Sequence, residues 1–177
     1  MRSRSLLLVT APTVFVLVAA LLAAWTSASG TEALGRPECT ITGHNGEDDL
    51  HGTTGPDVIC ALGGRDEVSG RAGNDFIYGG RGKDYLHGGP GDDLIYGGPR
   101  WDILDGGHGD DQLLGQGGQD ELADTRGTDL LRGGRGRDVL WAKDDKGDDR
   151  LIGGPGPDWY CADPGDSLRS VEFMSCE

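Results

Sequence analysis

From residue 50 onward one large apolar side chain recurs every nine residues: Leu50, Ile59, Val68, Ile77, Leu86, Ile95, Leu104, Leu113, Leu122, Leu131 and Leu140, then Leu151 and Tyr160 after a two-residue slip. A fixed period of this kind is read before local propensity, because it marks a repeated supersecondary unit rather than a single element. Around each of these positions the chain alternates as a very short strand, one side chain in and its neighbours out. Between the strands lie glycine-rich stretches that read as tight turns. The pattern predicts an all-β chain of thirteen turn-plus-strand units.

Eleven consecutive nine-residue units run from Gly43 to Trp141, followed by Ala142 and Lys143 as an insertion and by two further units, 144–152 and 153–161. The clearest copies are GGRGKDYLH (Gly79–His87), GGPGDDLIY (Gly88–Tyr96) and GGHGDDQLL (Gly106–Leu114). Within the unit the first, second and fourth places favour Gly, and Arg100 is the one exception at the fourth. The sixth place is Asp throughout: Asp48, Asp57, Asp66, Asp75, Asp84, Asp93, Asp102, Asp111, Asp120, Asp129, Asp138, Asp149 and Asp158. Glycines allow positive φ and close backbone approach, so such turns can aim their carbonyl oxygens inward. A carboxylate beside convergent carbonyls is a hard-oxygen site that suits calcium better than zinc or copper.

The unit G-G-x-G-x-D-x-U-x, with U large and apolar, resembles the calcium-binding nonapeptide of bacterial RTX (hemolysin-type) proteins. The resemblance covers Gly43–Cys161. It implies a parallel β-roll of about thirteen nonapeptide turns, with calcium ions held between the loops of units two apart by aspartates and loop carbonyls. One edge would carry Asp48, Asp66, Asp84, Asp102, Asp120 and Asp138, and the other Asp57, Asp75, Asp93, Asp111 and Asp129. Thirteen loops paired two apart give at most eleven sites. The sites flanked by Asp75, Asp84, Asp93 and Asp111 keep the motif best. Ala61 and Leu62, Arg100, Asp124 and Asp144 replace glycines, and the insertion puts the edge alignment beyond Trp141 in question.

Asp and Gly are also ordinary turn formers, so a solenoid whose aspartates only cap turns is the plainer alternative. Against it stands the sixth place, where neither Asn nor Ser occurs in thirteen copies. One buried aliphatic per nine residues is a thin core against the entropy of ordering the chain. An apo chain largely disordered and a calcium-bound chain folded are therefore expected. The chain carries 30 acidic and 16 basic residues, a formal net charge of −14. Such a balance repels nucleic acid and anionic membranes and attracts divalent cations.

Outside the repeats, Met1 to about Ala28 has Arg2 and Arg4, an apolar run from Leu6 to Trp25 and small residues at its end, the form of a secretory signal peptide. The apolar run is also long enough to leave an uncleaved anchor open. Cleavage would remove two basic residues and no acidic one, taking the net charge to −16. A linker and cap fill 29–42, with Ile41 at an eighth place and Cys39, no cation ligand here, at a sixth. Four cysteines allow three pairings. An exported chain whose cysteines bracket both ends of the repeats favours Cys39 with Cys60 and Cys161 with Cys176. Residues 162–177 leave the period, and Val171, Phe173 and Met174 suffice for a capping strand or turn.

His44, His51, His87 and His108 are scattered with no nucleophile at a catalytic spacing, and no stretch remains for a catalytic domain, so no enzyme is expected. The expected function is calcium-ion binding, with calcium-induced folding of a secreted, extracellular or wall-associated structural module. The alternative is a recognition or adhesion module. Its partner would be a glycan, a protein or a second copy, met by Phe76, Tyr78, Leu94 and Tyr96 on one face or by Tyr85, His87 and Ile103 on the other. With its leader cleaved, the chain is expected to bind no membrane.

Overall fold

The computed structural model describes residues 37–142, 148–170 and 172–173. The proposed leader, most of the linker, Asp144, Val171, Met174 and Cys176 lie outside these residues. Within them all regular structure is β, with no helix. One eight-stranded parallel sheet takes, in order, Ile41–Thr42, Val58–Cys60, Phe76–Tyr78, Leu94–Pro99, Gln112–Gly118, Leu130–Gly136, Arg150–Ile152 and Ser167–Arg169. The other takes Asp49–His51, Glu67–Ser69, Tyr85–Pro90, Ile103–His108, Glu121–Asp124, Val139–Ala142, Trp159–Ala162 and Glu172–Phe173. Two short loop strands, Gly63–Gly64 and Arg81–Gly82, also pair.

The chain alternates between the two sheets. A nonapeptide holds one turn and one strand, so it completes half a circuit, and its strand pairs with the one eighteen residues on: Ile59 opposite Ile77, Leu86 opposite Leu104, Leu113 opposite Leu131. The thirteen units therefore make about seven full turns of a solenoid rather than thirteen. Backbone hydrogen bonds join each coil to the next through strands and loops alike. Examples are the Glu67 N–H to the Asp48 carbonyl (2.9 Å) and the Gly80 N–H to the Gly97 carbonyl (3.0 Å).

Between the sheets the eighth-place side chains form two columns, Ile59, Ile77, Ile95, Leu113, Leu131 and Leu151 facing Val68, Leu86, Leu104, Leu122 and Leu140, all but fully buried. Toward the ends Ile41, Leu50 and Tyr160 are only partly buried. The ladder survives the insertion, with pairs twenty apart: Leu131 opposite Leu151 and Leu140 opposite Tyr160. The tail then supplies the last strand of each sheet, Leu168 opposite Leu151 and Phe173 opposite Tyr160. Cys39 and Cys60 form a disulfide that ties the chain entering the first strand to the second coil. Cys161 is buried, and its expected partner Cys176 lies outside the described residues.

Candidate metal centre

Each sixth-place aspartate stands where a turn enters a strand, with its side chain inside the turn. Asp48 is half-buried and the other twelve are buried. Stacking the coils brings every carboxylate against the loop below it. The Asp57 N–H donates to Asp75 Oδ1 (2.8 Å), Asp75 N–H to Asp93 Oδ1 (2.8 Å), Asp93 N–H to Asp111 Oδ1 (2.6 Å) and Asp111 N–H to Asp129 Oδ1 (2.9 Å). On the other edge the same bond runs from Asp48 through Asp66, Asp84, Asp102, Asp120 and Asp138 to Asp158, between 2.9 and 3.0 Å at every step. The two expected edges are thus present, and the insertion leaves them intact, since Asp129 N–H reaches Asp149 Oδ1 at 2.8 Å.

The second oxygen of each carboxylate is treated differently from loop to loop, and the second residue of the unit decides how. Leu62, Arg71, Gly80, Gly89, Gly98, Gly107, Gln116 and Gly134 lie at left-handed φ between 74° and 129°. In these eight loops Oδ2 of the sixth-place residue, Asp66, Asp75, Asp84, Asp93, Asp102, Asp111, Asp120 and Asp138, is buried with no hydrogen-bond donor. His44 and Thr53 are not left-handed. Their N–H groups turn onto the carboxylate instead, to Asp48 Oδ2 (2.7 Å) and Asp57 Oδ2 (2.7 Å). A loop can satisfy its own aspartate or leave an oxygen open, and the backbone conformation of one residue sets which.

First-place glycines make room for that oxygen. A Cβ at Gly79 would lie 2.8 Å from both Asp84 Oδ2 and the Gly97 carbonyl oxygen, and one at Gly115 would lie 2.6 Å from Asp120 Oδ2 and 2.7 Å from the Gly133 carbonyl oxygen. The open carboxylate and a carbonyl of the next coil thus converge on one spot. The non-glycine second-place residues retain the turn at a cost, since left-handed backbone disfavours an L side chain by about 1–2 kcal/mol. At the fourth place Arg100 does the same, at φ 94°.

A carboxylate taken out of water resists ionisation. Burial pushes Asp84 and Asp111 up to about 6, Asp93 and Asp120 to about 7, and Asp102 to about 8. It also raises Asp66, Asp75 and Asp138. The N–H bond from the neighbouring aspartate opposes the shift, and like charge in adjacent coils adds to it. A buried row of such groups needs protons or cations. The donor set, carboxylate and backbone carbonyl without sulfur or imidazole, fits a hard ion that takes many oxygens, which is calcium.

The family profile of the RTX calcium-binding nonapeptide repeat (4 copies) matches residues 40–59, 61–95, 87–122, 124–160 and 141–167. This chain belongs to that family. RTX repeats bind calcium, and the roll they build is a structural fold; the aligned, buried aspartates of this RTX chain are consistent with both. No curated protein matches it.

Three features of this RTX roll escaped the sequence reading. Asp166 works as a further sixth-place residue, its Oδ1 accepting the Asp149 N–H at 3.0 Å. The signal was Gly165-Asp166-Ser167-Leu168, which repeats the second half of the motif one residue short. Asp124 does not merely interrupt the glycines but adds a buried carboxylate beside Asp111 and Asp129. The divide between open and self-satisfied loops had a trace too, in His44 and Thr53 at second places. The aromatic residues pair as expected, Phe76 with Leu94, Tyr78 with Tyr96 and Tyr85 with Ile103, but Tyr78 is buried rather than outward-facing, its ring stacked 5.0 Å from that of the half-buried Tyr96.

Proposed function

We propose that this RTX chain is a calcium-folded module, exported unfolded and ordered outside the cell by the ions its loops take up. The observation that carries the reading is the row of buried sixth-place carboxylate oxygens without a donor. Calcium between coils compensates their charge, while protonation is the only other way to bury them. The sixth-place aspartates are the ligands, and the open loops, those of Asp66, Asp75, Asp84, Asp93, Asp102, Asp111, Asp120 and Asp138, are the ones that hold calcium. The loops of Asp48 and Asp57 close on themselves and hold none.

The remaining residues fit this role. Residues 1–28 act as a leader, 29–42 as linker and cap, 43–161 as the roll and 162–177 as its closing cap, with Cys161 paired to Cys176. Cytosolic calcium leaves the repeats unfolded and export-competent, and the calcium-rich exterior folds them. The work of the chain is structural, without catalysis. Far-ultraviolet circular dichroism during a calcium titration, with magnesium as control, tests this. A cooperative gain of β signal with calcium alone is expected, and a β-rich spectrum already present in chelator at neutral pH would overturn it.

A second reading rests on the outer faces, where Phe76, Tyr85 and Trp101 are exposed and Lys83 Nζ sits 5.0 Å from the Trp101 ring centroid. Aromatic platforms of this kind serve recognition of a glycan or protein. Glycan-array binding lost on Tyr85→Ser with Trp101→Ser would favour it, whereas calcium-dependent dimerisation without a ligand would favour the structural role.

A further inference from the structure

Asp124 occupies a first place that is Gly in most units, and its carboxylate is buried, 1% exposed. Oδ1 accepts the N–H groups of Thr125 (2.7 Å) and Arg126 (3.4 Å), which is enough to explain a turn cap. Oδ2 is not explained by it: the atom is buried and has no donor. It points back across the coils to Gly106, where a Cβ would collide with it and would lie 2.6 Å from the equally donor-less Asp111 Oδ2. One coil earlier the corresponding spot, at Gly88, is shared by Asp93 Oδ2 and the Gly106 carbonyl oxygen, the latter 2.7 Å away. Asp124 thus puts a carboxyl oxygen where the other loops put a backbone carbonyl.

Oxygens of Asp111, Asp124 and Asp129 lie within 4.8 Å of one another, and all three residues are buried. The Arg126 Nη1 is directed to the His108 ring at 3.2 Å. Carboxylate count is a main lever on calcium affinity, and three anions on one ion outrank the two of a consensus pair. We propose that Asp124 is a third carboxylate ligand and that, with Asp111 and Asp129, it forms the tightest calcium site of the roll, filled before the others. The inference rests on the calcium reading of the loops given above. It also assigns an origin to folding: the coil around 106–132 orders first and templates its neighbours in both directions.

The test is a calcium titration of the full oxidised chain in competition with a chromophoric chelator at pH 7.5, reading the affinity of each step and the total stoichiometry. Three variants accompany the wild type. Asp124→Asn keeps the Oδ1 cap of Thr125 and Arg126, Asp124→Gly restores the common residue, and Asp110→Asn removes the same charge from the exposed carboxylate beside Asp111 while keeping the Oδ1 that accepts the Thr128 N–H. The wild type is expected to bind its first ion about tenfold or more tightly than the next. Both Asp124 variants lose that step, keep the later ones and reach the same β signal in saturating calcium, and Asp110→Asn keeps every step. Retention of the tight step in Asp124→Asn would overturn the assignment, as would an equal loss in Asp110→Asn, which would make the effect one of general field. Failure of the wild type itself to bind calcium would instead refute the reading of the loops on which the inference rests.

Discussion

Two glycines at the same place of the motif, Gly55 and Gly91, are expected to respond to alanine in opposite ways. Both are fourth-place residues, and the repeat alone would rank them equal. Gly91 has φ 139°, and a Cβ there would overlap the Gly73 carbonyl oxygen and lie 2.6 Å from its carbon. The obstacle is backbone of the previous coil, so relief requires the coils to part. Moving Gly91 off Gly73 opens the hydrogen bond across that gap, Gly73 N–H to the Pro90 carbonyl (2.9 Å), and displaces the one on its other side, Gly91 N–H to the His108 carbonyl (2.8 Å). Left-handed backbone costs alanine about 1–2 kcal/mol, and two weakened hydrogen bonds add about 1 kcal/mol each, giving roughly 3–4 kcal/mol. At Gly55 a Cβ meets nothing within 4 Å and φ is not positive. Alanine there is neutral or stabilises by about 0.5 kcal/mol through the unfolded chain. Thermal melts in saturating calcium measure both. For a chain of this size Gly91→Ala should melt roughly 10 °C below the wild type, with Gly55→Ala within about 2 °C of it. Equal melting of the two variants would refute the argument that coil-to-coil backbone approach, rather than motif membership, fixes these glycines.

Three further outcomes are expected. Leu104→Ala removes a fully buried side chain between Leu86 and Leu122 and should cost about 2–5 kcal/mol, against less than half that for partly buried Leu50→Ala, as read from melting temperature. The raised carboxyls hold protons in the calcium-free fold that the unfolded chain has released, so the stability they confer is complete below about pH 4 and is lost as pH rises through about 6 to 8. In chelator the circular dichroism should show more β structure at pH 5 than at pH 8, and in calcium the binding midpoint should weaken as pH falls through the same window; less structure at pH 5 would contradict the sign. Replacing Cys39 and Cys60 by Ser opens a loop of sequence separation 21 and should cost about 3 kcal/mol, with amide-exchange protection lost first at Ile41–Thr42 and Asp49–His51.

The nine-residue period exposed most of the fold, because each eighth-place aliphatic has only one place to go, between the sheets, and each sixth-place aspartate follows the turn by strict count. Ile41 was legible as an eighth-place residue for the same reason, and it pairs with Ile59. What the period does not carry is the size of a circuit, since half a turn and a whole turn repeat identically in one dimension. Nor does it carry backbone sign. Leu62, Arg71 and Gln116 stand where the motif has glycine, yet they keep left-handed φ and leave the carboxylate below them open, whereas His44 and Thr53 do not. Asp124 was legible only as a missing glycine, because the oxygen it contributes meets Asp111 across a gap of thirteen positions that only stacking closes.

Half-circuit units give the chain a parity. Removing eighteen residues takes out one whole coil and leaves every remaining neighbour in kind, whereas removing nine sends all that follows to the opposite sheet. Both sheets present the same aliphatic column, and both edges the same aspartate ladder, so the interior cannot distinguish the two results. The exterior can: Trp159 and Val139, now neighbours on one face, would trade sides relative to Tyr78 and Tyr96. Length and outward identity are therefore separable variables in this architecture, the first adjustable one half-circuit at a time and the second toggling with each step.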